Sequence, residues 1–226
     1  MSYVNFLKTT IGKKVVMAVT GLIGVGYLIV HVAGNLQAFS GQEKLDNYAA
    51  TLHGPLDEIT WLVRIVLIVA VILHVWSAWS LTQEAHAARP VAYGKRQPQV
   101  STLASRTMRW GGVFLLAFIV FHILHFTVKA IDPAGWAHTH DAAGHYDIYG
   151  NVVHSFRIWW VALIYLVAMV FLGLHLFHGA WSSVRTLGYA KPGANPLHRQ
   201  IALVVALAIA IGFALVPIAV YARIIG

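Results

Sequence analysis

Residues 158–184 read IWWVALIYLVAMVFLGLHLFHGAWSSV, a stretch without Asp, Glu, Lys or Arg. A helix needs about 20 mostly apolar residues to cross a bilayer, so this stretch predicts a membrane span. It contains His175, although an ionisable side chain at membrane depth is costly and marks function by default. The same combination of an apolar run and an internal histidine occurs three more times, with His31, His74 and His122.

Five segments of the chain meet this length requirement. They cover residues 15–39, 59–81, 110–130, 158–184 and 201–225. Of the 226 residues, 58% are hydrophobic and 11% are charged, which is more apolar surface than a soluble core of this size hides. We therefore predict one all-α domain over residues 1–226, an integral membrane bundle of five transmembrane helices surrounded by lipid. Short polar connections with Pro and Gly join the helices.

The positions of the basic residues predict an orientation. With the N-terminus inside, the inner side holds 11 of the 16 Lys and Arg residues: Lys8, Lys13, Lys14, Arg89, Lys95, Arg96, Arg106, Arg109, Arg185, Lys191 and Arg199. Lys and Arg near helix ends accumulate on the cytoplasmic side, so we predict a cytoplasmic N-terminus and an outer C-terminus in the cell inner membrane of a bacterial type of cell. Because the net charge of +8 resides in these connections, we expect no nucleic-acid partner.

Depth in the membrane sorts the four histidines into two layers. At about 1.5 Å per residue, His31 and His122 lie about 24 and 18 Å from the inner edge, in the outer half of the bilayer. His74 and His175 lie about 22 and 26 Å from the outer edge, in the inner half. The expected pairs are therefore His31 with His122 outside, and His74 with His175 inside.

Paired histidines at membrane depth favour haem as the cofactor, since histidine is a common axial ligand of haem iron. A single intramembrane histidine can instead bond a neighbouring helix, but four in two layers fit that explanation poorly. Depth does not separate His122 from His125 or His175 from His178, because residues three apart share a helix face. The chain has no cysteine, which excludes iron–sulfur ligands and covalently attached haem.

Four sequence segments around these histidines carry a family resemblance. They are LIVHVAGNLQAF at 28–39, VILHVWSAWSL at 71–81, RWGGVFLLAFIVFHILHF at 109–126 and GLHLFHGAWSSVRTLG at 173–188. Together and in this order they resemble the cytochrome b membrane-anchor subunit of succinate:quinone oxidoreductases, of the single-subunit type that holds two haems. The resemblance extends over nearly the whole chain, from the first helix to the fifth.

The resemblance implies that each predicted pair holds one haem b. It selects His122 and His175 as ligands rather than His125 and His178, with Gly179 and Trp181 at the family's spacing after His175. His125 and His178 would then bond haem propionates or quinone, and a structural bond to a neighbouring carbonyl is the alternative.

The resemblance also implies partners. In succinate dehydrogenase, the respiratory complex II of the tricarboxylic acid cycle, or in fumarate reductase, a flavoprotein subunit handles the dicarboxylate and an iron–sulfur subunit passes electrons to the anchor. The anchor delivers them to a membrane quinone, which is menaquinone in most relatives with two haems. This chain carries no GxGxxG dinucleotide motif, so we expect it to be the non-catalytic electron-transfer subunit.

Charged residues near the outer helix ends are candidates for further contacts. Arg64 and Arg157, about a turn into the outer ends of helices two and four, match haem propionates because guanidinium pairs bidentately with carboxylate. The alternative is that they reach the outer headgroups. His53, Asp57 and Glu58, before helix two, are candidates for a quinone site that exchanges protons, and a solvated loop is the alternative.

Two other functions compete with this hypothesis. One is a haem b anchor of another membrane dehydrogenase, although those commonly have four helices. The other is a small transporter with a histidine relay, which predicts a protein without haem.

Overall fold

The computed structural model describes residues 3–89, 91, 101–136, 138, 140, 144, 146–190 and 196–226. The basic residues Lys95, Arg96 and Lys191, predicted for the inner side, lie outside this part. The regular structure of the described residues is helical, apart from an isolated bridge between His140 and Tyr146. The all-α prediction is confirmed for these residues.

The described residues form eight α-helices. These are α1 (Tyr3–Lys8), α2 (Thr10–Asn35), α3 (Gln42–His53), α4 (Asp57–Ala87), α5 (Leu103–His122), α6 (Ile148–Phe156), α7 (Trp159–Thr186) and α8 (Pro196–Tyr221). Helix α2 continues into a 3₁₀ turn, Leu36–Ser40, and α5 into a π-helical turn, Ile123–Thr127. Five of these segments are long and apolar enough to cross a membrane: Thr10–Ser40, Asp57–Ala87, Leu103–Thr127, Trp159–Thr186 and Leu197–Tyr221.

The helix ends and connections differ from the predictions. Four of the five spans begin earlier than predicted, at Thr10, Asp57, Leu103 and Leu197, and the second extends to Ala87 rather than to residue 81. The third span ends at Thr127 and the fifth at Tyr221, short of 130 and 225, because Lys129 and Arg223 adopt positive φ values of 59° and 58° that a helix does not accept. The polar connections also contain helices, α3 and α6. Both helices are too short to cross a membrane, so the criterion of about 20 apolar residues does not predict them.

Helices α2 and α7 occupy the centre of the bundle. Helix α2 packs against α4, α7 and α8, and α7 packs against α5 and α8 as well. Glycines allow close approach, since a methyl group added at Gly212 would lie 2.6 Å from Val32 Cγ2 and one at Gly173 would lie 3.3 Å from Ala210 Cβ. Large apolar side chains such as Trp110 cover the outside, as expected of a surface that faces lipid.

The bundle has two distinct ends. At the end that we call the Lys13 end, α2 begins and α4 ends, and Lys13 forms an ion pair with Glu84. At the opposite end, the α6 end, α3 packs against α6. There the carboxylate of Asp46 accepts hydrogen bonds from the backbone N–H groups of Ile148 and Tyr149 at 2.8 and 2.9 Å. These two hydrogen bonds connect the first turn of α6 to α3.

Candidate functional site

The side chains of His31 on α2 and His122 on α5 lie face to edge inside the bundle. Their ring centroids are 5.9 Å apart with an angle of 74° between the planes, and we call these two residues the His31 pair. Both histidines are half-buried. The ring of Tyr27 stacks on His31 at 5.2 Å, and Phe213 of α8 contacts it from another side at 5.3 Å. These contacts restrict how the His31 ring can turn.

A second pair has nearly the same geometry. His74 on α4 and His175 on α7 have ring centroids 6.1 Å apart and planes inclined at 56°, and we call them the His74 pair. Both are half-buried. The depth estimate from sequence predicted these same two pairs, and the structure places the two rings of each pair next to each other.

Two glycines show how far apart the pairs lie. A methyl group added at Gly21 of α2 would lie 3.4 Å from Cε1 of His74, and one added at Gly112 of α5 would lie 3.8 Å from Cε1 of His175. Gly21 precedes His31 by ten residues, and Gly112 precedes His122 by ten residues. Ten helical residues rise about 15 Å, so both helices place the two pairs about 15 Å apart along the bundle.

The ring separations fit two imidazoles that share one metal atom. Metal–imidazole bonds of about 2.0–2.1 Å, the value for zinc, would place the ligating nitrogens about 4 Å apart and the ring centroids about 6 Å apart. Among the described residues, no cluster of three or more His, Asp or Glu side chains is suited to a bare metal ion. Two histidines alone are the donor set of a haem, whose porphyrin supplies the remaining ligands.

Two glycines near the pairs have no close neighbour. Gly24 on α2 and Gly179 on α7 are half-buried, yet a methyl group added at either would meet no atom within 4 Å. Gly24 lies between the levels of the two pairs, since it follows Gly21 by three residues and precedes His31 by seven. The helices are therefore not closely packed against a neighbour at these two positions.

The second nitrogen of each paired histidine has a different environment. His74 Nδ1 donates to the carbonyl oxygen of Met17 at 3.1 Å, with the hydroxyl of Thr20 3.2 Å away. The amide of Asn35 lies 3.4 Å from His31 Nδ1 and donates to the His31 carbonyl at 2.8 Å. His175 Nδ1 is buried and has no hydrogen-bond partner among the described residues. At His74 this arrangement leaves Nε2 with the lone pair that a metal requires.

A tyrosine that the sequence analysis did not single out contacts the His31 pair. The hydroxyl of Tyr165 on α7 lies 3.3 Å from Nδ1 of His122 and 2.9 Å from Nδ1 of His125. His125 Nε2 lies 3.0 Å from the hydroxyl oxygen of Ser155 on α6. A buried tyrosine hydroxyl generally requires a hydrogen-bond partner. The position of Tyr165 within the apolar span 158–184 could therefore have predicted a polar contact there.

His125 and His178, which were predicted to bond propionates or quinone, have different surroundings. Both ring nitrogens of His125 are engaged by Tyr165 and Ser155, and the side chain is 4% exposed, so it has a structural bonding pattern. His178 is half-buried and, within the described part of the chain, has no hydrogen bond. Only His178 therefore keeps ring nitrogens for the predicted propionate or quinone contact.

The two arginines predicted to contact propionates lie at the α6 end. Arg64 is half-buried on α4, 3.2 Å from His53 Nε2, and its guanidinium lies 4.8 Å from the ring centroid of Trp61. Arg157 lies between α6 and α7 rather than inside the fourth span, and it is exposed. It lines a surface pocket with His154 and Gly226. Neither guanidinium has a contact with a paired histidine among the described residues.

The quinone candidates gather around the start of α4. His53 ends α3, bonds the carbonyl oxygen of Ala49 at 2.9 Å through Nδ1 and contacts Arg64 through Nε2. Asp57 and Glu58 lie in the first turn of α4, where the helix dipole stabilises negative charge. Of these three residues, His53 is the one that hydrogen-bonds Arg64, which was predicted to contact a propionate.

Comparison of the chain with protein-family models, curated proteins and solved structures found no match.

Proposed function

We propose that this protein is a membrane anchor that holds two haem b groups and carries electrons across part of a bilayer. The observation that supports it most directly is the geometry of the two histidine pairs. Each joins two helices at ring separations of 5.9 and 6.1 Å, and the pairs are stacked about 15 Å apart. The five apolar helices around them form a bundle of membrane dimensions.

In this proposal the four histidines would hold two haem b groups, two histidines to each. Haem b, when bound, would supply one-electron transfer, and two imidazole ligands on its iron would leave no site for oxygen. His31 and His122 hold one group near the α6 end, and His74 and His175 hold the other nearer the Lys13 end.

The proposed role is that of the quinone-reactive subunit of a succinate:quinone oxidoreductase. The resemblance of the four histidine segments supports this choice over another dehydrogenase, as does the number of spans. A flavoprotein and an iron–sulfur subunit would then dock at the Lys13 end, which faces the cytoplasm in the predicted orientation. Electrons would leave to a quinone, with menaquinone as the expected type. The physiological direction depends on the haem potentials and on the quinone.

Purification of the affinity-tagged chain from membranes tests both parts of the proposal. We expect b-type bands in the reduced-minus-oxidised spectrum, two haems per chain by pyridine haemochrome, and two copurifying soluble subunits that carry flavin and iron–sulfur clusters. A colourless protein would contradict haem binding and favour the histidine-relay transporter. Two haems with a different set of copurifying subunits would favour the anchor of another dehydrogenase.

A further inference from the structure

A chain of hydrogen bonds runs from His122 through Tyr165 to His125 and Ser155. The three contacts measure 3.3, 2.9 and 3.0 Å. Tyr165, His125 and Ser155 are only 7%, 4% and 5% exposed, so water does not compete for these groups. Buried polar groups of this kind are generally satisfied by one another, and each lost bond leaves a costly unpaired group.

The direction of these bonds follows from the number of protons available. A phenol has one proton, so Tyr165 donates to one histidine and accepts from the other. If His122 turns the lone pair of Nε2 towards His31, its proton is on Nδ1 and is donated to the Tyr165 oxygen. Tyr165 then donates to His125 Nδ1, and His125 Nε2–H donates to the Ser155 oxygen.

The backbone favours this arrangement. The end of α5 widens into the π-helical turn Ile123–Thr127, which contains His125. Such turns are rare and frequently occur at functional sites. Here the turn accompanies the unusual approach of two histidines, His122 and His125, to a single hydroxyl on the neighbouring helix.

We propose that Tyr165 is a positioning residue that sets the tautomer and the basicity of His122, and through them the reduction potential of the haem held by the His31 pair. This inference rests on the proposed function. A hydrogen bond from the second nitrogen of a metal-bound histidine orients the ring and raises its basicity, which favours the oxidised metal. The hydroxyl acts at one pair only, because His74 donates to the Met17 carbonyl and His175 Nδ1 has no partner in the described part of the chain.

Redox titration of the purified complex carrying Tyr165→Phe tests the proposal. We expect both haems to remain and the midpoint potential of the haem at the His31 pair to rise, while the other haem keeps its potential. We also expect the affected haem to dissociate about tenfold faster, the scale on which loss of an outer-shell partner weakens metal binding. The spectrum of His31→Ala, which loses that haem, identifies which component of the titration has moved.

Two further variants complete the experiment. Ser155→Ala removes the last acceptor of the chain, and we expect a smaller shift in the same direction. Tyr48→Phe is the matched control, since Tyr48 packs against the same core cluster but, among the described residues, hydrogen-bonds none of the four paired histidines. We expect both potentials to be unchanged in that variant.

The outcomes separate this inference from the proposed function. Two haems with unchanged potentials in Tyr165→Phe would overturn the role of Tyr165 and leave the anchor function standing. Equal shifts of both haems would also overturn it. If Tyr165→Phe does not assemble, the Ser155→Ala variant tests the proposal. A midpoint potential equal to that of the wild type for the haem at the His31 pair would then overturn it. A wild-type protein without haem would overturn the function itself.

Discussion

An imidazole inside a membrane has two nitrogens, and the histidines of this bundle differ in how the second one is bonded. His74 bonds a backbone carbonyl of α2, His122 bonds the Tyr165 hydroxyl, and His175 Nδ1 is buried with no partner among the residues that the structure describes. An unpaired buried nitrogen costs free energy. In the proposed function the four ligands are therefore chemically unequal, although their pairwise geometries are alike.

Removal of single histidines separates ligands from neighbours. We expect His122→Ala and His175→Ala each to lose one haem, because the iron loses one of its two axial ligands. His125→Ala and His178→Ala should keep both haems, since His125 bonds protein groups with both nitrogens and His178 belongs to neither pair. Pyridine haemochrome with protein quantification measures the number of haems in each variant.

Each ligand variant has its control on the same helix one turn away. Loss of a haem from His125→Ala or His178→Ala would show that the neighbouring histidine is the ligand. Loss of both haems from His122→Ala would contradict independent pairs, provided that the variant reaches the membrane in the same amount as the wild type.

At the scale of the helix, α2 presents glycines to two different environments. Gly24 is half-buried with open space beyond it, whereas Gly26 is exposed on the surface and also has no atom within 4 Å. The two positions are two residues apart in the same membrane-spanning helix. In the proposed function, the space at Gly24 would be taken by a haem and the space at Gly26 by lipid.

A leucine at each position gives a test of this difference. We expect Gly24→Leu to reduce the haem content, because its side chain would enter the space beside the pairs. Gly26→Leu should keep two haems, since its side chain would extend into lipid. Haem per chain and the amount of protein in the membrane are measured together. Equal haem content in the two variants would show that the gap beside Gly24 does not hold the porphyrin.

Sequence periodicity predicted some of these elements and missed others for physical reasons. The five spans are detectable because an uninterrupted apolar run is required wherever lipid surrounds a helix. Helices α3 and α6 bury only short faces, including Leu45 and Val153, and their polar residues predict a connection. The partnership of His31 with His122 follows from depth, whereas the bond of Tyr165 to His122 depends on how α5 and α7 rotate against each other, which sequence spacing does not report.

At the scale of the molecule, an odd number of spans places the start and the end of the described bundle at opposite ends. The ion pair of Lys13 with Glu84 marks one end, and the contact of α3 with α6 marks the other. The charge asymmetry of the connections predicts that the Lys13 end is cytoplasmic. The proposed docking of soluble partners at that end depends on this predicted orientation.

The absence of cysteine makes the orientation simple to test. Single-cysteine variants Lys44→Cys, at the α6 end, and Ser101→Cys, before α5, both lie at exposed positions. We expect a membrane-impermeant maleimide to label Lys44→Cys in intact cells and Ser101→Cys only after the membrane is opened. Labelling in the reverse order would contradict the predicted topology and move the partner subunits to the other side.

The ten-residue interval from glycine to histidine occurs once on α2 and once on α5. Each of these helices brings a glycine to one pair and a histidine to the other, while α4 and α7 each contribute one histidine. Helices α2 and α4 therefore supply one histidine to each pair, and so do α5 and α7. The hydrogen bonds to the Met17 carbonyl and to the Tyr165 hydroxyl distinguish the two pairs, whose ring separations are alike.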